Sequence, residues 1–250
     1  MAKDRSDGTP APPARNDPGT SAPGKPSSRG EIDAFVARAR TLAPSVESGK
    51  RGRLIFALDA TMSRQPTWDE ACRLQADMFR ETATVGGLDV QLVYYRGLGE
   101  CRASRWVSDA TRLAALMEAI DCRGGHTQIG RILAHARNAS EGTKAQALVF
   151  VGDAMEESVD DLCAAAGELG LLGVPAFMFQ EGHDAVAEKT FREIARLTRG
   201  VYCRFDLGAA HELGELLRAA AVYAAGGLKA LADLSARRGR ATVRLLEQLR

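Results

Sequence analysis

The sequence predicts an α/β fold: a doubly wound, mostly parallel central sheet with one antiparallel edge strand and helices on both faces. Three observations predict it. Continuous apolar runs such as Leu54-Ile55-Phe56-Ala57-Leu58 have the character of strands covered on both faces. These runs alternate along the chain with segments whose apolar residues recur at helical spacing. One pair of strand-like segments is separated only by a short turn around Gly97 and Gly99, which suits a hairpin and so an antiparallel edge.

Taken in order, Leu54 to Leu58 is the first strand. Thr67-Trp68-Asp69-Glu70 reads as a capping box just after Pro66, opening a helix with Ala71, Leu74, Met78 and Phe79 on one face. A second strand covers Val90 to Tyr95, and Cys101 to Val107 reads as the edge strand. Ser108 is the expected cap of a helix through Leu113, Leu116, Met117 and Ile120. Gly124-Gly125 ends it, and Thr127 is expected to start the next helix, with Ile129, Ile132, Leu133 and Ala136 inward. Ala145 to Val151 is another buried strand, and Val159, Leu162, Cys163, Ala166 and Leu169 mark the helix after it. Val174 to Phe179, a helix through Val186, Phe191, Ile194 and Ala195 ending near Gly200, Val201 to Phe205, and a helix with Leu213, Leu216 and Leu217 complete the alternation.

Residues 1–30 hold six of the nine prolines and hardly any large apolar side chain, so they are expected to be a disordered leader. Residues 31–225 are the expected folded domain. Residues 226–250 read as a helical, basic C-terminal extension, with Arg237, Arg238 and Arg240 among leucines. A formal charge of +1, from 33 Lys+Arg against 32 Asp+Glu, gives no bulk drive toward nucleic acid or an anionic membrane. No apolar run approaches the roughly 20 residues of a membrane span, and the N-terminus lacks the apolar core of a secretory signal. The five cysteines, Cys72, Cys101, Cys122, Cys163 and Cys203, are odd in number and unpaired in spacing, which argues against a disulfide framework or a zinc site. They read as small buried side chains in a cytoplasmic protein.

The chemistry concentrates where the first strand ends. Asp59-Ala60-Thr61-Met62-Ser63 places one carboxylate and two hydroxyls at alternate positions, an all-oxygen set suited to a hard divalent cation. Gly124-Gly125-His126-Thr127 brings another hydroxyl, and Val149-Phe150-Val151-Gly152-Asp153 ends a second apolar strand with another carboxylate. Together these segments resemble the von Willebrand factor A domain, whose metal-ion-dependent adhesion site is written Asp-x-Ser-x-Ser, then a distant Thr, then a distant Asp. Thr61 stands where that family usually has Ser; it keeps the oxygen and adds a methyl. The resemblance covers about residues 50–225.

It implies that Thr61, Ser63 and Thr127 supply hydroxyl oxygens to Mg²⁺ or Mn²⁺, while Asp59 and Asp153 act mainly through bound water and hydrogen bonds. It also implies a non-enzymatic interaction module of the intracellular bacterial type. Its protein partner would present an Asp or Glu to the ion; among intracellular relatives such partners include AAA-type ATPases. Glu156 and Glu157 follow closely enough to stand on the rim, or else to occupy the first turn of a helix, and His126 reads as an exposed loop histidine.

The alternative is a Mg²⁺-dependent phosphatase or phosphotransferase on the same architecture. Such enzymes need a second carboxylate two residues after the nucleophilic Asp, and here that residue is Thr61, a neutral hydroxyl. No GxxxxGK[ST], GxGxxG or GxSxG pattern follows a predicted strand, which argues against nucleotide binding and serine hydrolysis.

Overall fold

The computed structural model describes residues 51–82, 87–205 and 210–238. The expected leader, the start of the domain at residue 31 and the last residues of the extension lie outside them. The strands are β1 (Gly52–Asp59), β2 (Leu88–Arg96), β3 (Glu100–Ala103), β4 (Ala147–Gly152), β5 (Ala176–Glu181) and β6 (Val201–Phe205). The helices are α1 (Gln65–Thr82), α2 (Ala110–Glu118), α3 (Ile129–Ser140), α4 (Val159–Leu171), α5 (Ala185–Leu197) and α6 (Ala210–Arg238). The sheet order is β3-β2-β1-β4-β5-β6, with only β3 antiparallel to its neighbour. The fold class read from the sequence is the one observed.

Successive side chains of the central strands go to opposite faces, and both faces are dry. Leu54, Phe56 and Leu58 join Trp68, Leu113, Met117 and the inner side of α6 in one core. Ile55 and Ala57 join Phe150, Ile132, Leu162, Phe191 and Ile194 in the other. Apolar burial on two faces is why these strands read as unbroken apolar runs rather than as alternating ones. Ring packing orders the second core: Phe150 stacks on Tyr95 at 6.3 Å between centroids and meets Phe191 edge-on at 5.4 Å.

Helix entries differ from the sequence reading in four places. The capping box at Thr67 does not form: a 3-10 turn over Met62–Arg64 runs straight into α1 at Gln65, so Thr67 is already helical. Its hydroxyl instead donates to Glu181 on β5. Pro66 sits in the first turn, where its missing N–H has no partner to lose. Asp109, not Ser108, caps α2 and accepts from Arg112 N at 2.9 Å. α3 begins at Ile129 rather than Thr127, and Gln128 gives it no side-chain cap. Finally, Glu156 and Glu157 precede Ser158, the N-cap of α4, so they stand outside its first turn.

The last helix is longer than its leucines suggested. It breaks at Gly227, whose φ of 65° and ψ of −160° only glycine adopts readily, and continues to Arg238 with Ala230, Leu231 and Leu234 buried in the first core. Among the described residues no helix is long and apolar enough to cross a membrane.

None of the five cysteines forms a disulfide among the described residues; Cys122 and Cys203 are buried, whereas Cys72, Cys101 and Cys163 are only partly so. Burial pushes the Cys72 and Cys122 thiols up to about 11. At pH 7.5 the thiolate fraction is then on the order of one part in a few thousand. We expect iodoacetamide to modify these two positions far more slowly in the native protein than after unfolding, as read by mass spectrometry of the peptides. Equal rates in both states would contradict this burial.

Candidate metal centre

β1 and β4 are neighbours at the point where the strand order reverses, and the crevice beyond their carboxyl ends is the usual ligand position in such sheets. A cleft of about 220 Å³ opens there, smaller than the roughly 300–1,000 Å³ that take drug-sized ligands. Its lining includes Asp59, Thr61, Ser63, Thr127 and Asp153, together with Met62 and Glu156. All five residues singled out in the sequence therefore converge on one cleft from three chain segments.

Asp59 is 2% exposed and fixed at both oxygens. Its Oδ1 accepts the Thr61 amide at 2.7 Å, an Asp-to-backbone bond two residues on that the strand exit itself provides. Its Oδ2 accepts the hydroxyl of Tyr95 at 3.0 Å. Tyr95 is the register partner of Asp59 on β2 and is wholly buried. The sequence reading missed it, although a tyrosine ending the second strand was visible. Burial holds the Asp59 carboxyl above the usual range, and it drives the Tyr95 hydroxyl well above its own.

The 3-10 turn after Asp59 sets the two hydroxyls side by side, with Thr61 Oγ1 at 3.3 Å from Ser63 Oγ. Across the cleft, Thr127 is locked in a reciprocal pair: its Oγ1 accepts the Glu156 amide at 3.0 Å, and its own amide donates to Glu156 Oε2 at 3.2 Å. Glu156 also bonds His126 Nδ1 at 3.0 Å, and the two donors hold its carboxyl below the usual range. His126 is an exposed loop residue, as expected. Glu157 has a different task. Its carboxylate accepts the amides of Ile129 and Gly130, the latter at 2.9 Å, and so caps α3 from the neighbouring segment.

The glycines before Thr127 divide unequally. A side chain at Gly124 would meet open space, whereas a Cβ at Gly125 would lie 2.1 Å from the carbonyl oxygen of Gly97. That close approach lets His126 N donate to Gly97 O at 3.2 Å and docks the loop on the β2–β3 turn. Arg123 N bonds Ala60 O at 2.9 Å, tying the same loop to the end of β1.

The donor set fits a hard cation. Among the described residues, no group of three or more His, Cys, Asp or Glu side chains has the arrangement of a metal cluster. An ion in this cleft would therefore draw on hydroxyl oxygens together with carboxylates, and each hydroxyl keeps a lone pair beyond the bond described. All the donors are oxygen, the preference of Mg²⁺ and Mn²⁺.

Next to Ser63 in the same 3-10 turn is Arg64, 1% exposed and also missed in the sequence. Its Nη1 is ion-paired with Glu181, and its Nε has no hydrogen-bond partner among the described residues.

No family model matches this chain, and no curated protein is significantly similar in sequence. Solved structures are similar in fold. A von Willebrand factor type A protein from Catenulispora acidiphila matches 69% of the chain at 17% identity with a TM-score of 0.54; the chain spans 42% of that protein's length. The VWA domain of SpRpn10 matches 71% of the chain at 12% identity and a TM-score of 0.52, with 98% of that domain covered. The vWF domain of the type V pili tip protein Mfa5 from Porphyromonas gingivalis matches 69% at 10% identity and a TM-score of 0.53, with 95% of it covered. The sheet order, the single antiparallel edge and the two helical layers of this chain are those of the von Willebrand factor A fold.

Proposed function

We propose that this chain is a cytoplasmic, non-enzymatic interaction module that captures an acidic side chain of a protein partner through Mg²⁺ or Mn²⁺ at the β1–β4 cleft. The observation that carries this reading is the convergence of Asp59, Thr61, Ser63, Thr127 and Asp153 on one small cleft at the sheet's switch point. A bound ion would supply an electrophilic position for a carboxylate oxygen. The chain's own part is to hold the oxygens: Tyr95 and the Thr61 amide orient Asp59, and Glu156 with Glu157 sets the loop carrying Thr127.

With neutral hydroxyls as the direct ligands and Asp59 and Asp153 acting through bound water, the ion would stay electrophilic, which favours an incoming Asp or Glu. Components of AAA-type ATPase complexes are the partner class we favour, with no nucleic acid or membrane component, in keeping with the formal charge of +1. Thr61 in place of a second acidic residue beside Asp59 speaks against phosphoryl transfer.

The test is affinity purification from native extract with Mg²⁺, with chelator, and with Mg²⁺ restored. The partner should leave on chelation and return with Mg²⁺, and Thr127→Ala should weaken capture while the circular dichroism spectrum stays unchanged. Capture that survives both chelation and Asp59→Ala would defeat the mechanism. Metal-dependent phosphatase activity lost in Asp59→Asn would establish the enzyme instead.

A further inference from the structure

Beside the cleft lies a charge that the oxygen-donor motif does not account for. Arg64 immediately follows Ser63, in the same 3-10 turn that carries the proposed ligands, and its amide donates to Thr61 O at 3.0 Å. Such a turn would normally aim a long cationic side chain at water. Here the guanidinium goes inward, and it carries the buried Nε that lacks a partner. Its counter-charge is Glu181 at the end of β5, 3% exposed and also bonded by Thr67 from α1. Glu181 follows Gln180, the register partner of Gly152, so the ion pair lies beside the strand end that carries Asp153.

A buried ion pair of this kind seldom adds stability over an apolar pair of similar volume, because removing both charges from water offsets their attraction. Packing alone gives little reason to keep a buried arginine here.

We propose that Arg64 is a resident cation beside the cleft, which balances Asp59 and Asp153 and thereby weakens the hold of the site on a divalent ion, while Glu181 limits that effect. The inference rests on the metal-site reading of the cleft. Its physical basis is that a fixed positive charge close to a divalent-cation site in a partly buried, low-dielectric setting opposes binding of the ion. A site so balanced keeps its carboxylates together between metal-binding events and exchanges the ion readily. Arg64 is here a positioning and charge-balancing residue; it does not line the cleft.

The two members of the pair should then act in opposite directions, which a merely structural role cannot produce. With Mg²⁺ and Mn²⁺ titrated into the purified full chain by calorimetry, Arg64→Met should tighten binding by about tenfold or more, and Glu181→Gln should weaken it by a similar factor. Arg64→Lys should stay near the wild-type affinity because it keeps the charge. If Arg64→Met proves too unstable because it strands Glu181, the double variant Arg64→Met/Glu181→Gln serves in its place and should bind about tenfold more tightly than Glu181→Gln alone. Weaker binding in both single variants, or no tightening of the double variant relative to Glu181→Gln, would overturn the inference and leave the pair a structural tie. The failure of the metal-site reading looks different. If wild type binds neither ion while Arg64→Met does, Arg64 is confirmed as the opposing charge and metal-dependent capture by the natural chain is lost. If no variant binds either ion, both ideas fall.

Discussion

Asp59→Ala is expected to cost the purified protein its Mg²⁺ and Mn²⁺ binding, by at least about 100-fold in Kd, while the fold survives. Replacing groups that only orient a metal ligand typically costs about 10–100-fold, and Asp59 both orients Thr61 and carries one of the two carboxylate charges that line the cleft. The same substitution leaves the Thr61 amide and the Tyr95 hydroxyl without their acceptor, each worth roughly 1–3 kcal/mol if it stays buried and dry. Against that loss stands a gain: burial holds the Asp59 carboxyl above the usual range, so its ionised form is a burden on the metal-free fold near neutral pH. The two effects oppose each other, and the net change in stability should be small. Asp59→Asn separates them more cleanly, since it keeps an oxygen for the Thr61 amide and removes the charge. Calorimetric titration gives the affinity and circular dichroism the fold. Unchanged metal affinity in either variant would place the ion elsewhere or nowhere.

Gly52→Val carries the largest expected effect on stability. Gly52 opens β1, and a Cβ there would lie 2.2 Å from Ala224 O and 2.5 Å from the Ala225 Cα. Both obstacles are backbone, so no rotamer change relieves them. The facing stretch of α6 is small for the same reason: Ala219, Ala220, Ala221, Ala224 and Ala225 are all buried, and the helix rides close on the sheet. Making room would lift α6 away and loosen Leu216, Leu217, Val222 and Tyr223, the last packed on Phe177 at 5.4 Å. Overpacking alone commonly costs about 1–3 kcal/mol, and a backbone clash belongs above that range. For a domain of this size each kcal/mol lowers Tm by roughly 2–4 °C, so a fall of about 10 °C or complete loss of cooperative unfolding is expected. Scanning calorimetry reads it. A midpoint within about 2 °C of wild type would mean that α6 does not approach β1 so closely.

The expected effects bear on how much of this molecule could be read from its residues. Strand existence and order of alternation were legible because burial on two faces forces an unbroken apolar run, as in Leu54 to Leu58, and Val201 to Phe205 needed no adjustment at all. Helix starts were less legible. Ser and Thr were the natural caps to choose at Ser108 and Thr67, yet the chain used Asp109 one residue later, and a 3-10 turn carried it into α1 before Thr67 was reached. Several residues can satisfy the same free amides, and local sequence does not rank them.

In the candidate site, the sequence by itself determined the oxygen-bearing residues, because short polar side chains placed where a strand stops must emerge near the ligand crevice. It determined the fold class for a related reason: apolar periodicity is a local property, imposed on each segment by what must cover it. Only the tertiary structure decided what surrounds those oxygens. Tyr95 reaches Asp59 because β1 and β2 are in register, and Glu157 caps α3 across a separation of 28 residues. Gly125 must be glycine because the β2–β3 turn lies against it. Arg64 turns inward because a carboxylate from β5 waits there. Each of these depends on which segments meet, and a single residue's identity carries no record of its distant neighbours.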